Sequence, residues 1–283
     1  MVMTVDRERS RFRLAMVQMR VDGGSLEENI ARAKARIGEA VSNRAQVILL
    51  PEAFTLGWTH PSAGSKAEAI PGGSACYELS QCSQQNECYI CAGLVERSGS
   101  QIYNAAVMLG PDGELLIHHR KINELEIGHP YYALGDRLQV APTPLGTFGA
   151  MICADAFCRG QVLARSLAMM GADVILSPCA WAVRAEHDNE REPYGQLWRD
   201  NYCPVARDFQ LWIAGVSNVG WLTAGPWRGR KCIGCSLLVG PDGKQVLMGP
   251  YGPEADTILY ADITPVARPA KGAGWQKIYQ DPG

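Results

Sequence analysis

The chain has 283 residues, 47% of them hydrophobic and 20% charged, enough to bury a substantial core as one large domain or two small ones. A formal net charge of -2 supplies no basic field for nucleic acid and no polybasic patch for a membrane surface. No apolar stretch approaches membrane-spanning length, and Met1 to Ser10 is charged without an apolar core, so a cytoplasmic protein is expected.

In chain order, Arg13 to Met19 reads as a short strand. Ser25-Leu26-Glu27-Glu28 has the form of a capping box, and Leu26, Ile30, Ala33, Ile37, Ala40 and Val41 then recur at helical spacing. Val47 to Leu50 is a continuous apolar run, as in a buried strand. A Gly- and Pro-rich loop from Gly57 to Gly73 leads to a helix expected after Ser74, with Ala75, Leu79 and Cys82 inward. Strands follow at Tyr89–Val95 and Ala105–Leu109, and Pro111-Asp112-Gly113 turns the chain into Glu114–His119.

A helix is expected from Gln161 to Met170, ended by Gly171, then a strand at Ala172–Leu176. A polar stretch, Glu186 to Glu192, precedes a helix through Leu197, Tyr202, Val205, Ala206 and Phe209. Strands at Leu211–Val216 and Leu237–Val239 come next. Pro241-Asp242-Gly243 then makes a second turn into Lys244–Met248, and a last strand lies near Thr257–Ile263. Two strand–PDG–strand hairpins, one in each half, predict two similarly built layers. Alternating helices and strands without a dividing linker indicate a single α/β domain over residues 1–283, with its core at about 13–263 and a tail at 264–283 able to reach a partner subunit.

Ten cysteines in a long chain without a secretion signal are expected to be free thiols, mostly small buried apolar side chains. Two CxxC pairs occur, Cys88/Cys91 and Cys232/Cys235. The first lies in a strand-like run, where residues three apart face opposite ways, so no metal site is expected.

Three reactive side chains end apolar runs: Glu52 after Val47 to Pro51, Lys121 after Leu115 to Arg120, and Cys153 after Gly149 to Ile152. Sites in open α/β sheets form beyond the carboxyl ends of strands. A carboxylate, an ammonium and a thiol converging there supply a base, a cation for a developing oxyanion and a nucleophile, which suits acyl transfer through a thioester. Cys153, set between a strand and a helix, is expected at the positive end of that helix, with the Ala154 N–H towards the substrate oxygen. Alternation puts Arg120 and Lys121 on opposite faces, so only one is inside.

These residues lie in a longer set of motifs: Gln18-Met19, Leu50-Pro51-Glu52-Ala53-Phe54, Tyr103-Asn104-Ala105-Ala106, His119-Arg120-Lys121-Ile122, Gly149 to Asp155, Ser177-Pro178-Cys179-Ala180-Trp181, Val216-Ser217-Asn218 and Gly234-Cys235-Ser236. In this order the chain resembles the nitrilase superfamily of carbon–nitrogen hydrolases. The resemblance implies a four-layer αββα sandwich of two mixed sheets flanked by helices, pairing as αββααββα in a homodimer or higher homo-oligomer. It implies a Glu52–Lys121–Cys153 triad without cofactor or metal, acting on a small amide, N-carbamoyl or nitrile substrate.

It also implies a second glutamate shortly after the lysine, for which Glu126 is preferred and Glu124 kept open. Superfamily members that act on nitriles commonly carry Trp-Glu after the cysteine; Ala154-Asp155 here favours an amide or N-carbamoyl group. Arg159 is a candidate for a substrate carboxylate and equally a surface residue at a helix start. Trp181, Tyr131 and Tyr132 are candidate pocket walls, with Glu186 to Glu192 as a rim. His118, His119 and His129 are expected to carry no essential proton transfer. An acyltransferase, a nitrilase and a non-catalytic binding protein of the same fold are the alternatives.

Overall fold

The structure is a computed structural model describing residues 10–268; the expectations for the first nine residues and for the tail beyond Arg268 fall outside them. The first half runs β1 (Phe12–Gln18), α1 (Leu26–Ser42), β2 (Val47–Leu49), α2 (Ala63–Lys66), α3 (Ser74–Gln85), β3 (Tyr89–Ser98), β4 (Gln101–Leu109) and β5 (Leu115–Arg120). The second begins with β6 (Val140–Thr143), β7 (Gly146–Ala150), α4 (Val162–Met170), β8 (Val174–Cys179), β9 (Ala182–Val183), α5 (Gln196–Phe209) and β10 (Trp212–Ser217). It ends with β11 (Val219–Trp221), β12 (Lys231–Ile233), β13 (Leu237–Val239), β14 (Gln245–Met248) and β15 (Thr257–Ile263).

Two six-stranded mixed sheets result, in the orders β15-β1-β2-β3-β4-β5 and β14-β13-β10-β8-β7-β6. Each has three parallel strands, β1-β2-β3 in one and β7-β8-β10 in the other, continued by an antiparallel PDG hairpin. The two turns close alike: Gly113 N–H donates to Gly110 O and Gly243 N–H to Gly240 O, each at 2.9 Å, with both glycines in the left-handed region. The two-layer expectation from the repeated turn therefore corresponds to one hairpin per sheet.

Period-two alternation assigns the faces. Phe12, Leu14 and Met16 of β1 point between the sheets, where they meet Phe148, Val174, Leu176 and Ala214 of the second sheet. Ala15 and Val17 point the other way, against Ala33 and Ile37 of α1 and Leu79 of α3. On the far side, α4 and α5 cover the second sheet with Leu167, Trp198, Tyr202 and Val205. The layers are helix, sheet, sheet, helix. Phe148 fills the middle, with ring centroids 5.7 Å from Phe12 and 6.1 Å from Tyr89.

Two local expectations are corrected, and one element is new. Ser25 precedes α1 but makes no side-chain cap, its φ/ψ of -97°/68° lying outside the usual capping conformation. Cys153 opens a short 3₁₀ turn, Cys153–Phe157, and α4 begins only at Val162, so no long helix aims its positive end at the sulfur. A three-stranded ribbon, β11-β12-β9, was not foreseen; its strands are two or three residues long, too short to show a period.

All ten cysteines are free. Cys88 packs on the helix side of the first sheet and Cys91 between the sheets, as alternation requires. Among the described residues no group of three or more His, Cys, Asp or Glu side chains is arranged to hold a metal, and no helix is long and apolar enough to cross a membrane.

Candidate active site

β2 ends at Leu49 and the chain turns through Pro51 and Glu52 against β3: Gly93 N–H donates to Pro51 O (3.1 Å) and Phe54 N–H to Gly93 O (2.9 Å). The Glu52 N–H reaches across to the second sheet and donates to Cys179 O at 3.2 Å. Lys121 follows β5 directly, its N–H donating to Asn104 O at 2.8 Å. Arg120 turns outward, stacks 3.9 Å from the Tyr103 ring centre and pairs with Glu96, while Lys121 turns in. Of the two cations, the inner one is the lysine.

The Lys121 Nζ lies 2.8 Å from Glu52 Oε1 and 2.9 Å from Glu124 Oε1. The Asn104 side-chain amide donates to the same pair, 2.7 Å to Glu52 Oε1 and 2.9 Å to Glu124 Oε2. Glu124 also accepts the Leu125 N–H at 2.9 Å and the Trp58 Nε1–H at 3.4 Å. The site is nearly closed to solvent: Glu52 is 1% exposed, Lys121 2%, Glu124 7% and Cys153 9%.

The preference for Glu126 is therefore corrected. Glu126 is exposed in a 3₁₀ turn, Glu126–Gly128, whereas Glu124 is buried against the lysine. Residues two apart in a bending loop face different ways, and sequence spacing does not say which faces in. Arg159 is likewise exposed, in a short turn ahead of α4, away from the buried cluster. Its use for a substrate carboxylate is not supported.

Cys153 begins its turn with φ of 44°, a left-handed conformation that costs a non-glycine residue about 1–3 kcal/mol. Its thiol sits in the electrostatic field of Glu52, Lys121 and the Cys179 sulfur. Trp181 is buried and stacked 4.5 Å from Trp198, its indole N–H without a hydrogen-bond partner among the described residues. Tyr131 is half-buried beside Tyr132, whose hydroxyl accepts the Thr59 N–H at 2.8 Å, and both pack near Trp58. Ala154 is buried, its carbonyl accepting the Asn123 side-chain N–H at 2.6 Å.

Burial dominates the protonation states. It pushes the Glu52 carboxyl up, opposed by the Lys121 charge and assisted by that of Glu124. Burial also works against a charged Lys121, yet Glu52, Glu124 and Cys153 outweigh it and hold the ammonium well above the ordinary lysine range. The Cys153 thiol is pushed well above its ordinary value by burial, by the Cys179 sulfur and by Glu52, with only Lys121 opposing. The balance favours the neutral thiol over the thiolate.

Sequence reasoning assigned no role to Asn104 or to the buried pair His119–Asp155. His119 lies on the same inward face of β5 as Ile117 and Lys121, so alternation carried that signal. Its Nε2 is 2.8 Å from Asp155 Oδ2, and Asp155 further accepts the N–H groups of Ile122 (3.1 Å), Asn123 (2.7 Å) and Ile152 (2.9 Å). One carboxylate thus ties the loop after Lys121 to the turn that carries Cys153.

Comparison with known proteins agrees with this architecture. A family model described as carbon-nitrogen hydrolase matches residues 13–271. The omega-amidase NIT2 of Bos taurus is 30% identical over 266 residues, covering 89% of this chain and 88% of that protein. A nitrilase from Pyrococcus abyssi is 30% identical over 255 residues, 89% of this chain and 90% of that one. The crystal structure of a carbon-nitrogen hydrolase from Helicobacter pylori superposes with a TM-score of 0.79 at 21% identity, covering 91% of this chain and 90% of the other. The chain belongs to the carbon-nitrogen hydrolase family, in the nitrilase superfamily.

Proposed function

We propose that this protein is a cofactor-free amidohydrolase that releases ammonia from a small linear amide or N-carbamoyl compound through a thioester on Cys153. The observation that carries the reading is the buried Lys121 ammonium bridged by Glu52 and Glu124 in contact with the Cys153 thiol's field. Lys121 and Asn104 occupy Glu52 Oε1, and Oε2, which accepts no hydrogen bond among the described residues, is the oxygen free to act as base.

As Cys153 Sγ attacks the amide carbon, its proton passes to Glu52 and the carbonyl oxygen gains negative charge. Lys121, charged throughout, and the Ala154 N–H stabilise that oxyanion. Collapse breaks the carbon–nitrogen bond, and Glu52 returns the proton to the departing ammonia. Water then attacks the thioester, giving its proton to Glu52. The carboxylate product leaves and the thiol regains its proton. Glu124 holds Lys121 in place, and Trp181 and Tyr131 wall the pocket. Omega-amidase relatives and Ala154-Asp155 after the nucleophile favour an amide over a nitrile.

The test is ammonia release from a panel of amides, N-carbamoyl compounds and nitriles by wild type and Cys153→Ala. Amide or carbamoyl turnover confined to wild type is expected; turnover that survives the substitution overturns the reading. The expected assembly is a homodimer joined through its outer helices, consistent with exposed Val162 and Met169 on α4 and Leu197 on α5.

A further inference from the structure

Asn104 is 1% exposed, and the two hydrogens of its one amide group bind two carboxylates, Glu52 Oε1 at 2.7 Å and Glu124 Oε2 at 2.9 Å. Its own Oδ1 is buried with no hydrogen-bond partner among the described residues. A buried acceptor left unmet costs about 1–3 kcal/mol, so packing alone does not explain an asparagine here; a leucine of similar shape would avoid that cost. The strand makes the placement rigid. Asn104 sits mid-strand in β4, opposite Val95 of β3, and its backbone O receives the Lys121 N–H. The same residue thereby fixes the lysine backbone and both carboxylates that the lysine bridges.

We propose that Asn104 is a positioning residue for the reaction proposed above: by holding Glu52 Oε1 and Glu124 Oε2 on one amide, it sets the carboxylate spacing and reserves Glu52 Oε2 for the thiol proton. Lys121 alone does not do this, because an ammonium attracts either carboxylate oxygen from a range of directions, whereas a planar amide presents two donors at a fixed angle. The amide also favours ionised Glu52, in the same sense as Lys121 and against burial and Glu124. Cys153, Cys232 of β12 and Tyr132 in turn feel the charge of Glu52, and among the described residues none of them donates a hydrogen bond to it.

The sign follows directly. Removing the amide withdraws support from the charged carboxylate, so Glu52 protonates at higher pH and the base is lost earlier on acidification. In Asn104→Leu, the acid limb of kcat/KM is expected to move up by about one pH unit. The fall is expected in kcat, with KM within about twofold of wild type, because the substrate contacts remain. Asn104→Asp, which adds a negative charge beside Glu52, is expected to move the limb further in the same direction.

A readout independent of turnover is the carboxyl ¹³C titration of Glu52, assigned with Glu52→Gln and followed in full-length wild type and Asn104→Leu. An upward shift is expected. An unchanged Glu52 titration in a folded Asn104→Leu overturns the positioning role, and so does an acid limb that overlays wild type at reduced rate. Should Asn104→Leu not fold, Asn104→Ser, which keeps one short donor, takes its place, with a smaller shift expected and no shift overturning the proposal. Turnover that persists in Cys153→Ala refutes the thioester reading instead, leaving the carboxyl titration as the test of Asn104.

Discussion

Lys121 carries most of the electrostatic burden of the site. Two carboxylates face it in a volume nearly closed to water, so neither is compensated without it. Replacing one member of a buried ionic group leaves the others unpaired, at a cost of about 3–5 kcal/mol. Lys121→Met is accordingly expected to lose that much stability, read by denaturant unfolding, and to lose turnover. Glu52 supplies a pH dependence. Burial raises its pKa, and as the base of the proposed reaction it is competent only when ionised, so the acid limb of kcat/KM is expected above the ordinary glutamate range and to vanish with Glu52→Gln. Cys153 makes a complementary prediction: no thiolate ultraviolet absorbance at neutral pH in wild type relative to Cys153→Ser. Such absorbance at pH 7 would contradict a proton that leaves only during attack.

At the scale of elements, two glycines separate construction of the site from construction of the fold. A Cβ on Gly93 of β3 would lie 2.5 Å from Glu52 Cα and 2.8 Å from Pro51 O, both backbone atoms that cannot swing aside. Gly93→Ala is expected to displace the turn bearing Glu52 and to lower kcat by tenfold or more in a folded protein, checked by kinetics alongside circular dichroism. Gly113, in the first PDG turn, has φ of +78°, and its Cβ would meet Ser80 Oγ at 2.7 Å. Gly113→Ala is expected to cost about 1–2 kcal/mol of stability from the left-handed backbone while kcat is unchanged. The hairpins were legible because Pro-Asp-Gly states its own geometry. The β11-β12-β9 ribbon was not, since its pairing comes from remote segments, Lys231 against Val183 and Cys232 against Ala182.

For the molecule as a whole, the relation between the two sheets matters most. Asp155, two residues after Cys153 in the turn that follows β7 of the second sheet, binds His119 of β5 and two backbone N–H groups after Lys121. Asp155→Ala would strand these donors in the interior and is expected to lower melting temperature and turnover together. Burial raises the Asp155 pKa, but the His119 bond and charge and the backbone N–H groups outweigh it and hold it below the ordinary value. A depressed carboxylate stabilises the fold above its unfolded pKa and loses that contribution as pH falls through the folded one. Wild type is therefore expected to lose stability on acidification below the ordinary aspartate range, in a step that Asp155→Asn lacks, read by acid unfolding. In the proposed homodimer, Met169→Glu on the exposed face of α4 is expected to shift the sedimentation coefficient towards the monomer.

The sequence by itself determined the longer helices α1, α3, α4 and α5, most of the sheet strands, the paired hairpins and three reactive side chains at strand ends, because apolar period and turn chemistry act between near neighbours; it missed α2, β6 and the short ribbon. It put Arg120 and Lys121 on opposite faces for the same reason. Only the tertiary structure decided that Glu124 and not Glu126 meets Lys121, that Arg159 stays outside, that burial favours the protonated Cys153 thiol, and that Asn104 and Asp155 contact this cluster. Those outcomes depend on where loops from two stacked sheets converge and how far they exclude water, and neither quantity is written in the spacing of residues along one strand.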